Sequence, residues 1–286
     1  MTLRRLVQIT PHVWVARSRR YASATTVLLD GHGGALVVDP NWDADELAAI
    51  PQDLADLGVT CVAGLATHLH YDHVLWHPDL GDVPRWSTSG TVRITREQRA
   101  EVLAPLVGDI PDDLIEIAGH LVPIAGTELD WRGPKAIIHE HDAHAVHHLA
   151  LEIPDWGLLV SGDMLSDAEL PYPDDDDTDL VRYREGLDSL QGAASRARVV
   201  VPGHGTTGTD AMARWDAAHH ILDPAGPAPA LAPDALQVAA TRVVAANAEV
   251  AEQLRRASRW RKIQTEWLAR LQTITEADRD HLQDLY

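Results

Sequence analysis

The chain has 286 residues, enough for one large α/β domain with a substantial buried core. It carries 24 Lys and Arg against 43 Asp and Glu, a formal net charge of −19, which repels phosphate backbones and anionic membranes and sets nucleic-acid binding aside. With Cys61 as the only cysteine, no intrachain disulfide can form.

No apolar run approaches the ~20 residues that span a bilayer. Gln8, Pro11 and His12 interrupt the N-terminal apolar stretch, which does not read as a signal peptide, so the cytoplasm is the expected compartment. Lysine occurs only at Lys135 and Lys262, asparagine only at Asn41 and Asn247, and phenylalanine is absent, as codon bias in a GC-rich bacterial genome would produce.

Residues 6–17 and 23–29 are rich in β-branched and apolar side chains and predict strands. Asp30-Gly31-His32-Gly33-Gly34 turns the chain into a short apolar run at 35–39. Helical spacing through Leu47, Ile50, Leu54 and Leu57 predicts a helix over 43–57, with Pro51 blurring its start. Residues 59–66 read as a buried strand, with Cys61 inside it. Helices are predicted to begin at 74–80 and to span 91–106. Strands are predicted at 115–124, 127–130, 135–138, 148–153 and 156–161. An acidic loop (171–178), a helix (180–194), a last buried strand (199–201) and a helix (209–222) follow.

Residues 224–233 are rich in Ala and Pro and read as linker; helices are expected at 236–259 and 260–274. The domain reading is therefore a catalytic unit over 1–222, a linker over 223–234 and a helical extension over 235–286. Trp260, Ile263, Trp267, Leu271 and Ile274 share one helix face. That face is expected to cap the main domain, with a homodimer interface or a lid over the site as alternatives.

Four separated segments carry metal-ligand chemistry, each near the exit of a predicted strand. The first is Thr67-His68-Leu69-His70-Tyr71-Asp72-His73. Four ligands within six residues cannot all bind one tetrahedral ion from a regular element. A loop can aim His68 and His70 at one ion and Asp72 and His73 at a neighbour. Imidazole with carboxylate suits Zn²⁺, with Fe²⁺ or Mn²⁺ as alternatives. The second segment holds His139, His141, His144, His147 and His148, of which one ligand suffices. The third is Gly162-Asp163, where glycine allows a sharp turn. The fourth is Pro202-Gly203-His204-Gly205.

In order, these segments resemble the metallo-β-lactamase superfamily, over about residues 6 to 222. The resemblance implies a four-layer αββα sandwich with two divalent metal ions at one edge of its sheets. It implies His68, His70 and His144 on the first ion, Asp72, His73 and His204 on the second, and Asp163 bridging them. It places Asp39 behind the ligands, against the plainer reading of a turn acid before Pro40. His144 is preferred to His139 and His141 because the family ligand precedes the following strand by a few residues. His148 begins that strand and is better placed to support than to ligate.

A pair of ions about 3.5–4 Å apart can hold a bridging hydroxide at neutral pH. Asp72 is then the expected catalytic group, orienting the nucleophile and moving its proton to the leaving group. The reaction expected is hydrolysis of an ester, lactone, thioester or lactam of a small metabolite. Asp163 stands where several true β-lactamases carry Cys or Ser, which points away from antibiotics. Ser166 stands where quorum-type lactonases carry Tyr, leaving Tyr172 or Tyr183 to reach in. The alternative is a mononuclear iron, sulfur dioxygenase-type oxidoreductase of the same fold.

Overall fold

The computed structural model describes residues 5–168 and 180–222. The acidic loop, the linker and the C-terminal helices expected from the sequence lie outside the described residues. None of the described helices is long and apolar enough to cross a membrane.

Two sheets face each other. The first has seven strands in chain order: β1 (Leu6–Thr10), β2 (Val13–Arg17), β3 (Ala24–Leu29), β4 (Gly34–Val38), β5 (Thr60–Leu65), β6 (Arg85–Ser87) and β7 (Val122–Pro123). Its first four strands form an antiparallel meander, and β4 to β7 run parallel. The second sheet has four strands in the order β11 (Val199–Pro202), β10 (Leu158–Gly162), β9 (His148–Ile153) and β8 (Ile137–His141). Only its β10–β11 pair is parallel.

The layering follows from side-chain alternation along strands buried on both faces. In β4, Leu36 and Val38 point into the core between the sheets, where they join Leu149, Leu151 and Ile153 of β9. The alternate residues Ala35 and Val37 point outward to a second core. There they meet Leu47, Ile50 and Leu54 of helix α1 (Ala44–Asp56), and also Val92 and Leu103 of helix α3 (Ser89–Leu103). On the far side, Ala150, Leu159 and Val200 meet Leu187 of α5 (Leu180–Ser189), Ala193 of α6 (Gln191–Arg196) and Trp215 of α7 (Ala211–Leu222). The result is the αββα sandwich.

Several elements depart from the sequence reading. Helix α1 runs through Pro51. An interior proline costs a helix ~3 kcal/mol, and burial of Leu47, Ile50 and Leu54 on one face offsets it. Residues 115–124 are not one strand: helix α4 (Asp112–Ile117) occupies the start, with Asp112 and Asp113 in its first turn, where acids favour a helix N-terminus. Residues 127–130 form no strand beyond a Glu128–Ile137 bridge. The helix predicted to begin at 74–80 is reduced to a 3-10 turn at Pro78–Leu80, and the α-helical turn before it is α2 (Tyr71–Val74), inside the ligand motif. The predicted 180–194 helix is broken between α5 and α6.

Cys61 sits in β5 with its Sγ 3.4 Å from the Ala63 carbonyl, and burial pushes its thiol up to about 12. Its reaction with a disulfide reagent at pH 8 should be at least about 10² slower in the folded chain than in urea. Equal rates would show that the β5 edge opens freely.

Candidate metal centre

The ligand candidates converge at one edge of the sandwich because four strands end there. Asp39 follows β4, His68 follows β5, Asp163 follows β10 and His204 follows β11. His144 lies in the turn from β8 to β9. The one-turn helix α2 carries Asp72 and His73, with the His73 amide donating to the His70 carbonyl at 3.1 Å.

Two groups of donors result: His68, His70, His144 and Asp163 in one, and Asp72, His73 and His204 in the other. In each, one ligand atom per residue lies within 4.8 Å of all the others. In the first, His68 Nε2 is 2.8 Å and His144 Nε2 3.2 Å from His70 Nδ1. The Asp163 carboxylate reaches both groups. Its Oδ2 is 3.4 Å from His144 Nε2 and 3.1 Å from His204 Nε2, while its Oδ1 is 3.3 Å from His73 Nε2. Asp72 Oδ2 lies 3.4 Å from His73 Nε2 and 3.3 Å from His204 Nε2.

The residues behind these donors fix which ring nitrogen faces inward. His73 Nδ1 donates to Asp39 Oδ2 at 2.9 Å. Thr67 donates its hydroxyl to the same oxygen at 2.8 Å and its amide to Asp39 Oδ1 at 2.9 Å. The Thr67 oxygen in turn accepts from His68 Nδ1 at 3.0 Å. His204 Nδ1 donates to the Tyr21 carbonyl at 3.1 Å. In all three rings Nε2 is left for the centre.

Gly162 has a φ of +52°, and a Cβ there would meet the His148 ring 2.4 Å away. His148 fills that space and accepts the Asp163 amide on Nε2 at 3.1 Å. Its Nδ1 faces His141 Nε2, also at 3.1 Å.

This donor set fits divalent metal. Asp72 Oδ2, His73 Nε2 and Asp163 Oδ1 are buried with no hydrogen-bond partner among the described residues, yet they converge. Asp39, Asp72 and Asp163 are buried, and no lysine or arginine among the described residues pairs with them. Burial raises a carboxyl, but His73 and His204 outweigh it and hold Asp72 well below the usual carboxylate range. His204, His73 and His68 do the same for Asp163. Burial pushes His68 down and keeps it neutral. It pushes His73 down too, but Asp72, Asp163 and Asp39 win and raise that ring well above its ordinary value. Anionic oxygens and imidazole nitrogens gathered with no lysine or arginine paired to them among the described residues are what such an ion needs.

A model of the metallo-beta-lactamase superfamily matches residues 20–204. The chain belongs to that superfamily. Its fold is similar to that of a metallo-beta-lactamase from Pontibacter korlensis, with 18% identity over 77% of this chain and 98% of that one and a TM-score of 0.60. It is similar also to the FIM-1 metallo-beta-lactamase of Pseudomonas aeruginosa in its mono-zinc form, with 17% identity over 78% and 96% of the two chains and a TM-score of 0.60. DIM-1 metallo-beta-lactamase exposed to ceftazidime has 17% identity, over 79% of this chain and 99% of its own, with a TM-score of 0.59. The likeness to these superfamily members is one of fold.

Every residue the sequence singled out as a ligand lies in one of the two groups, and Asp39 and His148 stand directly behind them. Ser166 donates to the His204 carbonyl at 2.8 Å, and Tyr183 is fully buried in the helix-side core. Tyr172 lies outside the described residues. Thr67 and the Tyr21 carbonyl were not singled out. Thr67 had a signal, since it opens the ligand motif; a backbone carbonyl has none.

Within the histidine-rich turn, His144→Ala should abolish binding of one ion, whereas His141→Ala should not. Asp39→Ala should weaken both ions by about 10–100-fold, and His148→Ala should weaken binding by no more than that. Metal titration of each variant against a chromophoric chelator checks this. Loss of an ion from His141→Ala with retention in His144→Ala would place the ligand register elsewhere.

Proposed function

We propose that this chain is a dinuclear metal-dependent hydrolase, with zinc in both sites, that cleaves an ester, lactone, thioester or lactam bond of a small metabolite. The observation that supports it most is the Asp163 carboxylate, with one oxygen 3.3 Å from His73 Nε2 and the other 3.4 Å from His144 Nε2. A single carboxylate facing both donor groups suits a pair of ions better than one. Imidazole and carboxylate donors suit zinc.

When bound, such a pair lowers the pKa of water toward ~7 and polarises a carbonyl oxygen. The chain supplies the rest. His68, His70 and His144 would hold the first ion, and Asp72, His73 and His204 the second. Asp39, Thr67, His148 and the Tyr21 carbonyl keep these donors oriented, so little reorganisation is left for the reaction itself. Asp72 is ionised and faces the centre through Oδ2, 3.3 Å from His204 Nε2. From there it takes the proton of the attacking water and passes it to the leaving group. An acyl bond is favoured over a phosphoryl one because a phosphate clamp needs free cations. Arg20, near Tyr71, is instead paired with Asp43 at 3.1 Å.

Protein purified without chelator should contain close to two divalent ions per chain by elemental analysis. A content of one that persists after zinc reconstitution would overturn the dinuclear reading. Chelation should also lower the melting temperature, because ions bound only by the native state add to its stability.

Asp72→Asn should cut turnover by about 10² or more on whichever ester, lactone, thioester or lactam a substrate panel identifies. Turnover near that of the unsubstituted chain would remove Asp72 from proton transfer. Activity confined to phosphodiesters in the same panel would remove the acyl-bond assignment.

A further inference from the structure

Two loops bring donors from the second sheet. The loop after β10 holds Asp163, and the loop after β11 holds His204. The second is a poor support by itself. Gly203, Gly205 and Gly208 all lie within it, and glycine loses more conformational freedom on ordering than any other residue. Its far end returns to β11, where Gly208 and Val200 exchange backbone bonds at 2.9 and 3.0 Å. Its tip needs a tie from elsewhere.

The neighbouring loop supplies one. The Ser166 hydroxyl donates to the His204 carbonyl at 2.8 Å. Asp167 accepts the Thr206 amide at 2.6 Å and the Thr206 hydroxyl as well. A Cβ at Gly205 would run into the Asp167 carboxylate, so the glycine admits that acid.

Arg214 of α7 then joins the two loops. Its Nη1 donates to the Leu165 carbonyl at 3.2 Å and to the Thr206 carbonyl at 3.0 Å. Leu165 stands two positions after Asp163, and Thr206 two positions after His204. Nε donates to Asp210 Oδ1 at 2.9 Å, and Nη2 lies 3.8 Å from Asp167 Oδ2. The side chain is buried. Burying a charge is costly unless its partners are well placed, so packing of α7 against the sheet does not account for an arginine here. A rigid guanidinium fork can bridge two backbones at fixed angles, which a flexible ammonium does less well.

We infer that Arg214 is a positioning residue of the metal centre: it holds the Asp163 and His204 loops together and so sets the affinity of the ion at Asp72, His73 and His204. The inference rests on the dinuclear reading for there being two ions. The effect is unequal between them. His204 is one of three donors in the second group, and Asp163 Oδ1 faces that group too. In the first group, His68, His70 and His144 lie on segments to which Arg214 makes no hydrogen bond among the described residues.

The test is zinc titration of the full chain against a chromophoric chelator, in two backgrounds that each keep one ion. His144→Ala keeps the second group, and His204→Ala keeps the first. Adding Arg214→Met to His144→Ala should weaken the remaining ion by about tenfold or more, as loss of a group supporting a ligand does. Added to His204→Ala, it should cost no more than about threefold. Arg214→Lys should recover part of the loss, because an ammonium still donates to the two carbonyls. Arg196→Met is the control. It breaks the 2.8 Å pair with Glu152, at the end of β9 away from His148, and should lower the melting temperature without moving either affinity. If Arg214→Met fails to fold, Arg214→Lys and Ser166→Ala decide, each weakening the ion only in the His144→Ala background. Equal losses in both backgrounds, or none in His144→Ala, overturn the inference. A single ion in the unsubstituted chain overturns the dinuclear reading; the inference then stands if that ion needs both His204 and Arg214, and falls if it does not.

Discussion

The carboxylate of Asp39 couples the two groups of donors. One oxygen takes the Thr67 amide; the other takes the Thr67 hydroxyl and the His73 ring. Through Thr67 the same carboxylate governs His68. One imidazole in each donor group therefore owes its orientation to one acid that contributes no atom to either. Burying a carboxylate costs several kcal/mol unless partners compensate. Here Asp39, Asp72 and Asp163 are compensated by imidazoles and not by arginine or lysine. Of two rings in contact, His68 is driven neutral and His73 is driven to carry a proton. Such an arrangement is under-compensated by protons alone. Divalent cations held by these donors would supply the missing positive charge, and their binding would add to the stability of the fold.

The backbone reaches this arrangement through parallel strand pairs. Side by side, β4 and β5 deliver Asp39 and Thr67 at the same end, and β10 and β11 deliver Asp163 and His204. Parallel pairing puts carboxyl ends together, which is where open α/β sheets gather their chemistry. Each exit must then turn sharply so that a side chain folds back over the sheet edge. Asp39 does so at a φ of 50°, a conformation that aspartate tolerates better than most residues, and Gly162 does so at 52°. A Cβ at Gly203 would run into the Asp163 carboxylate, so the glycine before His204 is needed for space.

Much of this was legible because its signals are local. Leu149, Leu151 and Ile153 alternate with Ala150 and Glu152, and the β9 strand falls on 148–153 as read. The ligand motif at 67–73 is compact, and the other ligand-bearing segments are marked by glycine or by histidine density. What was not legible depends on contacts between distant segments. The Tyr21 carbonyl meets His204 across 183 residues, and every residue has a carbonyl. Strand β6 has only three residues, too few to show a period. Ile115 and Ile117 suggested a strand by their branching, but the acids at the start and the packing of Leu114 carried the segment into a helix.

Of the five histidines on β8, β9 and the turn between them, four face other partners and one faces the donor groups. His139 is held by Glu152 at 2.8 Å, and His147 by Glu140 at 2.8 Å. His141 and His148 face one another at 3.1 Å, with His148 also taking the Asp163 amide. Burial pushes His141 down to about 3, so it stays a neutral partner. His144 differs from these four in turning its Nε2 toward His70 and Asp163. An ion offered several neighbouring imidazoles could otherwise settle on more than one of them. Giving the rivals other bonds makes every alternative register break a contact before it forms one. The bonds that hold the other four histidines would oppose misligation, in keeping with the proposed role of His144.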